Sequence, residues 1–190
     1  MAAKDGFPNW CLPGASGPRT VGKGANDRRS QTIHAVGWMR LRLKGFIHAQ
    51  RLRKKVKGIA DTGFLVAFAN RNDFHHSWAV ELALQVNEPL LTCEAVLAES
   101  AFHLQNVPAV LKLIDDGLVT DAFDFNSNLA HVALLAERYA SRQPDLADLC
   151  LIRLSELNPH HYVITNDRKD FSIYRRNKRE VIPLICPPLT

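Results

Sequence analysis

The sequence predicts an α/β fold built around a mainly parallel sheet. From Gly58 onward, short apolar runs alternate with longer segments of helical periodicity, a pattern typical of βαβ units. Apolar residues make up 46% of the 190-residue chain and charged residues 23%, which is enough apolar surface to build a core. The part of the chain expected to form this domain is residues 58–190.

Residues 1–57 are predicted to form a separate basic extension. They hold 13 Lys or Arg against two acids, a net charge of +11, while residues 58–190 hold 11 against 17, a net charge of −6. The sequence pI near 9.2 therefore comes from the extension. Residues 1–32 are expected to be disordered, and residues 33–57 could form a basic helix. The extension is either a nucleic-acid-binding arm or, alternatively, a solvated tail or the product of an upstream translation start.

Membrane-spanning and secreted proteins are both disfavoured. The longest uninterrupted apolar run covers only residues 64–69, far short of the roughly 20 residues needed to cross a bilayer. The first 30 residues also lack the apolar core of a secretory signal. The four cysteines form no C-x-x-C pair, which suits a reducing cytoplasm, and Cys93 and Cys150 are expected to be buried thiols.

The first half of the domain is predicted to contain two strands and four helices. In order, they are a strand at 59–61, helices at 62–68 and 73–86, a strand at 90–91, and helices at 92–105 and 107–116. Asp73 and Thr92 suit the N-caps of the second and third helices, and Gly117 suits the end of the fourth. Trp78 lies at helical spacing from Leu82, which indicates a core position rather than a base-stacking surface.

The second half is predicted to contain three strands and two helices. They are a strand at 118–120, helices at 126–140 and 145–157, and strands at 162–165 and 181–185. The helix at 126–140 is expected to face the core with Leu129, Val132, Leu135, Ala136 and Tyr139. Asp145 follows Pro144, which is typical of an N-cap.

Four acidic residues stand where a carboxylate is costly or where ligands bind. Asp61 and Asp167 are placed at the carboxyl ends of strands, the edge at which parallel sheets bind ligands. Glu99 lies mid-helix among apolar neighbours, where a charge needs a partner or a cation. Asp148 lies three residues after Asp145 on the same helix face.

Each of these acids also has an ordinary structural explanation. Asp61 can cap the helix that begins at Thr62, and an acid such as Asp148 is favourable in a first helical turn. Asn166-Asp167 is also common turn chemistry. Taken together, however, several acids at one sheet edge would repel one another unless a divalent cation compensates. Oxygen ligands select Mg²⁺ or Mn²⁺, and such a site suits phosphodiester hydrolysis by metal-activated water.

The order and setting of the acids resemble those of the PIN-domain family, most closely the toxin ribonucleases of bacterial VapBC toxin–antitoxin pairs. The matching blocks are IADTGFL at 59–65, TCEAVLAE at 92–99, DLADL at 145–149 and TNDRKDF at 165–171. They follow in order across about residues 58–186. The resemblance implies a three-layer α/β/α sandwich and a Mg²⁺- or Mn²⁺-dependent endoribonuclease.

The resemblance also implies roles for individual residues and partners. Asp61, Glu99 and Asp148 match the family's three core acidic ligands, and Asp167 matches its less constant fourth. Thr62 and Thr165 match hydroxyl positions that support the site. The implied partners are an RNA substrate, a cognate antitoxin protein and a second copy in a homodimer. The extension over residues 1–57 is atypical of the family, which favours the upstream start.

Several alternatives remain open from the sequence. The chain could be a catalytically silent PIN-fold binding module, or a haloacid-dehalogenase-type phosphatase, although that chemistry needs a second acid where this chain has Gly63. His75 and His76 could form a second metal site or simply lie exposed at a helix start. The basic run at 168–179 could hold RNA phosphates or be ordinary solvated surface.

Overall fold

The computed structural model describes residues 56–189. Its strands are β1 (Gly58–Ala60), β2 (Leu90–Thr92), β3 (Val119–Asp121), β4 (Tyr162–Ile164), β5 (Arg175–Arg176), β6 (Glu180–Val181) and β7 (Leu184–Ile185). Its helices are α1 (Thr62–Ala69), α2 (His76–Ala83), α3 (Glu94–Leu104), α4 (Val107–Asp115), α5 (Phe125–Arg138), α6 (Leu146–Leu157) and α7 (Arg168–Phe171), with a 3-10 turn at Ala140–Arg142. The predicted alternation of strands and helices is confirmed over these residues.

Five strands form one parallel sheet in the order β3-β2-β1-β4-β7. β1 lies at the centre, with Ile59 opposite Leu91 of β2 on one side and opposite Val163 of β4 on the other. A parallel sheet needs crossover helices on its faces, and helices flank this one. The architecture is therefore a three-layer α/β/α sandwich, and the expected fold class is confirmed.

The centre of the sheet is buried on both faces. All three residues of β1 are buried, as are the last two residues of β4. Trp78 packs against this core, with its ring centroid 5.8 Å from that of Phe64 and nearly perpendicular to it. Cys93 and Cys150 are buried free thiols. The core placements predicted for Trp78 and the two cysteines are confirmed.

Two of the predicted helix caps are wrong. Asp73 accepts a 2.8 Å hydrogen bond from the backbone N–H of His75 in a turn, and α2 begins only after His75, without a side-chain cap. Thr92 is buried at the end of β2, where its hydroxyl donates to the carbonyl of Ala60 at 3.1 Å, so Cys93 takes the N-cap position of α3. Short polar side chains bind backbone groups in turns and strand ends as well as in caps.

The inward face of α5 differs at one position from the prediction. As expected, Val132 and Leu135 are buried, and Ala136 and Tyr139 are partly buried against the core. Leu129, however, is 53% exposed, and Asn128 is buried instead. The Asn128 amide donates to the carbonyl of Asp124 and accepts from Nε of Arg153, both at 2.9 Å. Because both ends of the amide have partners, its burial carries little desolvation penalty.

The predicted strand at 181–185 is two strands. β6 pairs antiparallel with β5, whereas β7 joins the edge of the main sheet beside β4. Pro183 lies between them and has no N–H to donate to a ladder, although its carbonyl accepts a 2.9 Å bond from the backbone N–H of Val163. Proline therefore divides an apolar run that looks continuous in the sequence.

The predicted basic extension lies outside the described residues except for Val56 and Lys57, and so do its expected disordered and helical parts. Val56 forms an isolated parallel bridge with Val86 just before β1 begins. Over residues 56–189, the structure contains no helix with the length and hydropathy required to span a bilayer.

Candidate active site

A cleft of about 400 Å³ lies beside the carboxyl ends of β1 and β4. Strand ends of this kind share one edge of a parallel sheet, which is where ligands bind. Six acids line the cleft: Asp61, Glu99, Asp145, Asp148, Asp167 and Asp170. The structure therefore brings the four acids predicted as site residues to a single cleft.

Asp61 is the most buried acid of the cleft and is 8% exposed. Its Oδ1 accepts a 2.6 Å hydrogen bond from the backbone N–H of Thr62, which makes it the N-cap of α1. Its Oδ2 accepts a 2.6 Å bond from the hydroxyl of Thr165. Asp61 therefore caps α1 and lines the cleft at the same time.

Glu99 is held in the middle of α3 by two neighbours. Its Oε2 accepts a 2.8 Å hydrogen bond from the hydroxyl of Thr62, and its Oε1 lies 3.5 Å from Nε2 of His103. Thr62 binds Asp61 through its backbone and Glu99 through its side chain, so it connects the two acids. These partners offset the cost of placing a carboxylate on a semi-apolar stripe.

Asp148 is held from two sides. Its backbone N–H donates at 2.7 Å to Oδ1 of Asp145, the N-cap of α6, and its Oδ2 accepts from the hydroxyl of Tyr174 at 3.1 Å. Tyr174 is buried, and its ring meets those of Phe171 and Tyr139 at steep angles. Packing therefore fixes the direction in which this hydroxyl points.

Thr165 connects the acids that follow β1 and β4. It is fully buried, and its hydroxyl donates to Asp61 while accepting a 2.8 Å bond from the backbone N–H of Asp167. Asp167 in turn caps the short helix α7 by accepting from the backbone N–H of Asp170 at 3.0 Å. Thr62 and Thr165 thus contact the acids that the sequence expected them to support.

Two acids of the cleft have raised pKa values. Burial, followed by the negative charges of Glu99 and Asp145, raises the pKa of Asp61 from 3.8 to about 6, against the opposing effect of its hydrogen bonds. Burial is also the largest cause for Asp148, followed by the charges of Asp145 and Asp61, and raises its pKa to about 7. The cleft therefore concentrates more negative charge than Arg142, its one arginine among residues 56–189, can offset.

The donors of the cleft suit a hard divalent cation. All six candidate ligands are carboxylates, and the raised pKa values mark a site that a positive charge would stabilise. Within residues 56–189, however, no three His, Cys, Asp or Glu side chains stand in an arrangement ready to hold a metal ion. The cleft residues therefore match a divalent cation in the type of donor atom and in charge, but they do not form a complete coordination shell.

No protein-family model matches this chain, and a search of curated proteins finds no match either. The site is therefore interpreted from its own geometry and chemistry.

The histidine pair at 75–76 lies outside the cleft. Nδ1 of His76 is 2.9 Å from the carbonyl oxygen of Ala67, and the ring of His75 meets those of Phe74 and Trp78 edge-on. These contacts are typical of packing at a helix start, and the second metal site considered from the sequence has no carboxylate or thiol ligand among them.

Three arginines of the basic run after Asp167 make contacts that stabilise the fold. Arg168 donates to the carbonyl of Pro187, and Arg175 donates through Nη1 to three backbone carbonyls. Arg176 binds the carbonyl of Pro159 and the carboxylate of Glu180. These three guanidinium groups are therefore engaged in backbone and ion-pair contacts.

Sequence reasoning misses several residues of the cleft, among them Asp145, Tyr174 and Arg142. It gives Asp145 only a capping role, although its spacing of three from Asp148 is a signal that both face one site. It gives no role to Tyr174, which reaches Asp148 from the segment between α7 and β5, or to Arg142, which lines the cleft from the turn before α6. No local pattern marks the last two, because their positions depend on how distant segments pack.

Proposed function

We propose that this domain is a metal-dependent endoribonuclease, the toxin component of a type II toxin–antitoxin pair. One observation carries the proposal: Asp61, Glu99, Asp148 and Asp167, far apart in the sequence, line one cleft. The same residues match, in order, the acidic positions of the PIN-domain family that the sequence resembles. The α/β/α architecture accords with that resemblance.

The donor set supports Mg²⁺ or Mn²⁺ as the cofactor, because every candidate ligand is a carboxylate oxygen. Asp61, Glu99 and Asp148 would hold the ion, and Asp167 would serve as an outer ligand or as a ligand of a second ion. When bound, such an ion activates water, orients the scissile phosphate and stabilises the negative charge that develops on it.

The chain itself orients these ligands through three hydroxyl groups. Thr62 donates to Glu99, Thr165 donates to Asp61, and Tyr174 donates to Asp148. Outer hydrogen-bond partners of this kind fix the rotamers of ligands, and their removal typically costs 10- to 100-fold in affinity or activity. By likeness to the family, the RNA products would carry a 5′-phosphate and a 3′-hydroxyl.

The same resemblance supports two protein partners and a cytoplasmic location. A small antitoxin would lay a helix or an extended arm across the cleft and block it. The acidic lining of the cleft suits an arm that carries basic residues. A second copy of the chain would complete a homodimer.

A second candidate is a catalytically silent binding module with the same fold. It is favoured by one observation, that the side chains of residues 56–189 do not stand as a formed metal site. A haloacid-dehalogenase-type phosphatase is disfavoured, because its second acid would fall at Gly63. Any side chain there would overlap the carboxamide of Asn166, which occupies the space beside Gly63.

RNA cleavage by the full chain in Mn²⁺ or Mg²⁺ tests the proposal. Asp61→Asn and Glu99→Gln should abolish cleavage, because each removes a charged ligand. The amide oxygen of each variant can still accept the hydrogen bond from Thr62 seen here. Asp115→Asn, an exposed acid at the end of α4 that does not line the cleft, is the matched control and should cleave normally. Undiminished cleavage by both site variants would contradict the proposal.

A further inference from the structure

Arg142 is the one Lys or Arg among residues 56–189 that lines the acidic cleft. It ends the 3-10 turn at Ala140–Arg142, three residues before Asp145, the N-cap of α6. Gln143 follows in the left-handed region with φ of 52°, and Asp145 lines the same cleft. The positive side chain and the acids therefore share one cavity.

Among the described residues, the guanidinium group of Arg142 has no partner, in contrast to three arginines of the basic run at 168–179. Arg168, Arg175 and Arg176 bind backbone carbonyls or a carboxylate, whereas in the described chain the Arg142 side chain makes no hydrogen bond or ion pair. It is also exposed to solvent. It can therefore donate its N–H groups to a ligand without breaking an existing contact.

The backbone that carries Arg142 is nevertheless fixed relative to the acids. Its N–H donates at 2.8 Å to the carbonyl of Tyr139, and the Tyr139 ring lies 5.0 Å from that of Tyr174. The hydroxyl of Tyr139 also accepts a 2.9 Å bond from the backbone N–H of Arg175. Because Tyr174 binds Asp148, a short series of packed groups connects the turn of Arg142 to an acid of the cleft.

A polyanionic substrate faces an electrostatic problem at this cleft. Six carboxylates line it, against one arginine among the described residues. A phosphodiester entering the cleft would be repelled by them in the absence of a compensating positive group. A guanidinium presents a planar fork of N–H donors that matches two phosphate oxygens, which makes it suited to this task.

We propose that Arg142 is a substrate-binding residue of the cleft, one that holds a backbone phosphate of single-stranded RNA beside the acidic cluster. This role rests on the proposed function for the nature of the substrate. It assigns the phosphate contact to the turn before α6 and not to Arg168, Arg175 or Arg176 of the basic run, whose guanidinium groups are engaged elsewhere.

Binding of a labelled eight-nucleotide single-stranded RNA, followed by fluorescence anisotropy in Mg²⁺ at several salt concentrations, tests the role. The full chain carrying Asp61→Asn keeps the RNA intact and serves as the parent. Adding Arg142→Ala should weaken binding on the order of ten-fold and reduce the slope of log affinity against log salt by about 0.7. Arg142→Lys should restore the slope and part of the affinity, because it keeps the charge but not the fork.

Arg71→Ala is the matched control. Arg71 is exposed, follows the C-terminal end of α1 and does not line the cleft, so this variant should change neither the affinity nor the slope. Unchanged affinity and slope in Arg142→Ala, or no RNA binding by the parent, would overturn the role. Cleavage by the chain with native Asp61 is measured in parallel. Arg142-dependent binding without cleavage would contradict the proposed function alone, whereas cleavage without any effect of Arg142 would contradict this inference alone.

Discussion

The hydroxyl of Thr165 donates a 2.6 Å hydrogen bond to Oδ2 of Asp61, a residue 104 positions earlier in the chain. The same hydroxyl accepts the backbone N–H of Asp167, so one buried threonine holds the acids that follow two neighbouring strands. The contact follows from the order of the sheet, because β1 and β4 are adjacent and run parallel. The Mn²⁺ binding and the pKa values expected of the cleft acids depend on such hydroxyl contacts.

Replacing Thr165 by Val should raise the pKa of Asp61 above about 6, because the hydrogen bond from Thr165 lowers it. Mn²⁺ binding, which needs the ionised carboxylate, should then begin at higher pH. The unfolding free energy should fall by about 1–3 kcal/mol, since the buried carboxylate of Asp61 and the backbone N–H of Asp167 both lose a partner. Calorimetric titration with Mn²⁺ at a series of pH values measures the first effect. Thr165→Ser keeps the hydroxyl and should behave nearly as the unaltered chain.

Replacing Tyr174 by Phe should weaken Mn²⁺ binding by about ten-fold while preserving the packed ring. The hydroxyl of Tyr174 lowers the pKa of Asp148, so its loss leaves less of that carboxylate ionised at neutral pH. Tyr139→Phe is the control, because its hydroxyl binds the backbone of Arg175 and no acid of the cleft. Equal Mn²⁺ affinities in the two variants would show that the contact to Asp148 does not matter for the site.

The sequence predicts a residue of this cleft when an acidic side chain directly follows a predicted strand or stands among apolar neighbours. Asp61 and Asp167 follow strands that the apolar pattern predicts, so their approach at one sheet edge is foreseeable. Glu99 is conspicuous because a carboxylate is unexpected among apolar neighbours. In contrast, nothing in the local sequence predicts Tyr174, whose hydroxyl reaches Asp148 only through the path of the chain after α7.

The same distinction explains the errors in the predicted fold. Asp73 and Thr92 have the side chains of helix caps, but one forms a turn and the other binds the neighbouring strand, a choice made by tertiary contacts. Asn128 displaces Leu129 from the core only because Arg153 and Asp124 satisfy its amide. Patterns of hydropathy describe the faces of helices but not the polar partners that a distant segment supplies.

Replacing Asp148 by Asn should stabilise the chain at pH 8 when divalent metal is removed. The folded state holds a proton on Asp148 up to about pH 7, whereas the unfolded state releases it near 3.8, so the unfolding free energy contributed by this group falls as pH rises through that window. Asn removes the penalty at high pH and keeps an acceptor for Tyr174. Because the carboxylate is only partly buried, the gain is on the order of 1 kcal/mol, or about 2–4 °C in melting temperature. Thermal melts at pH 4 should show no such gain in stability. If the gain is also absent at pH 8, the raised pKa of Asp148 is contradicted.

RNA cleavage should increase between about pH 5 and pH 8 at saturating RNA and fixed Mg²⁺. The carboxylates of Asp61 and Asp148, with pKa values raised to about 6 and about 7, must lose their protons before they can hold a cation. Raising the Mg²⁺ concentration should shift the increase to lower pH, because the cation competes with the protons. A cleavage rate that does not change from pH 5 to pH 8 would show that catalysis does not depend on the ionisation of these two acids.

Calorimetric titration of the full, metal-free chain with Mn²⁺ at pH 8 tests the central claim most directly. The account predicts saturable binding that is lost in Asp61→Asn and in Glu99→Gln and kept in Asp115→Asn, together with a higher melting temperature when Mn²⁺ is present. Binding that none of the cleft variants alters, or no binding by the unaltered chain, would contradict the claim that these acids share a divalent ion.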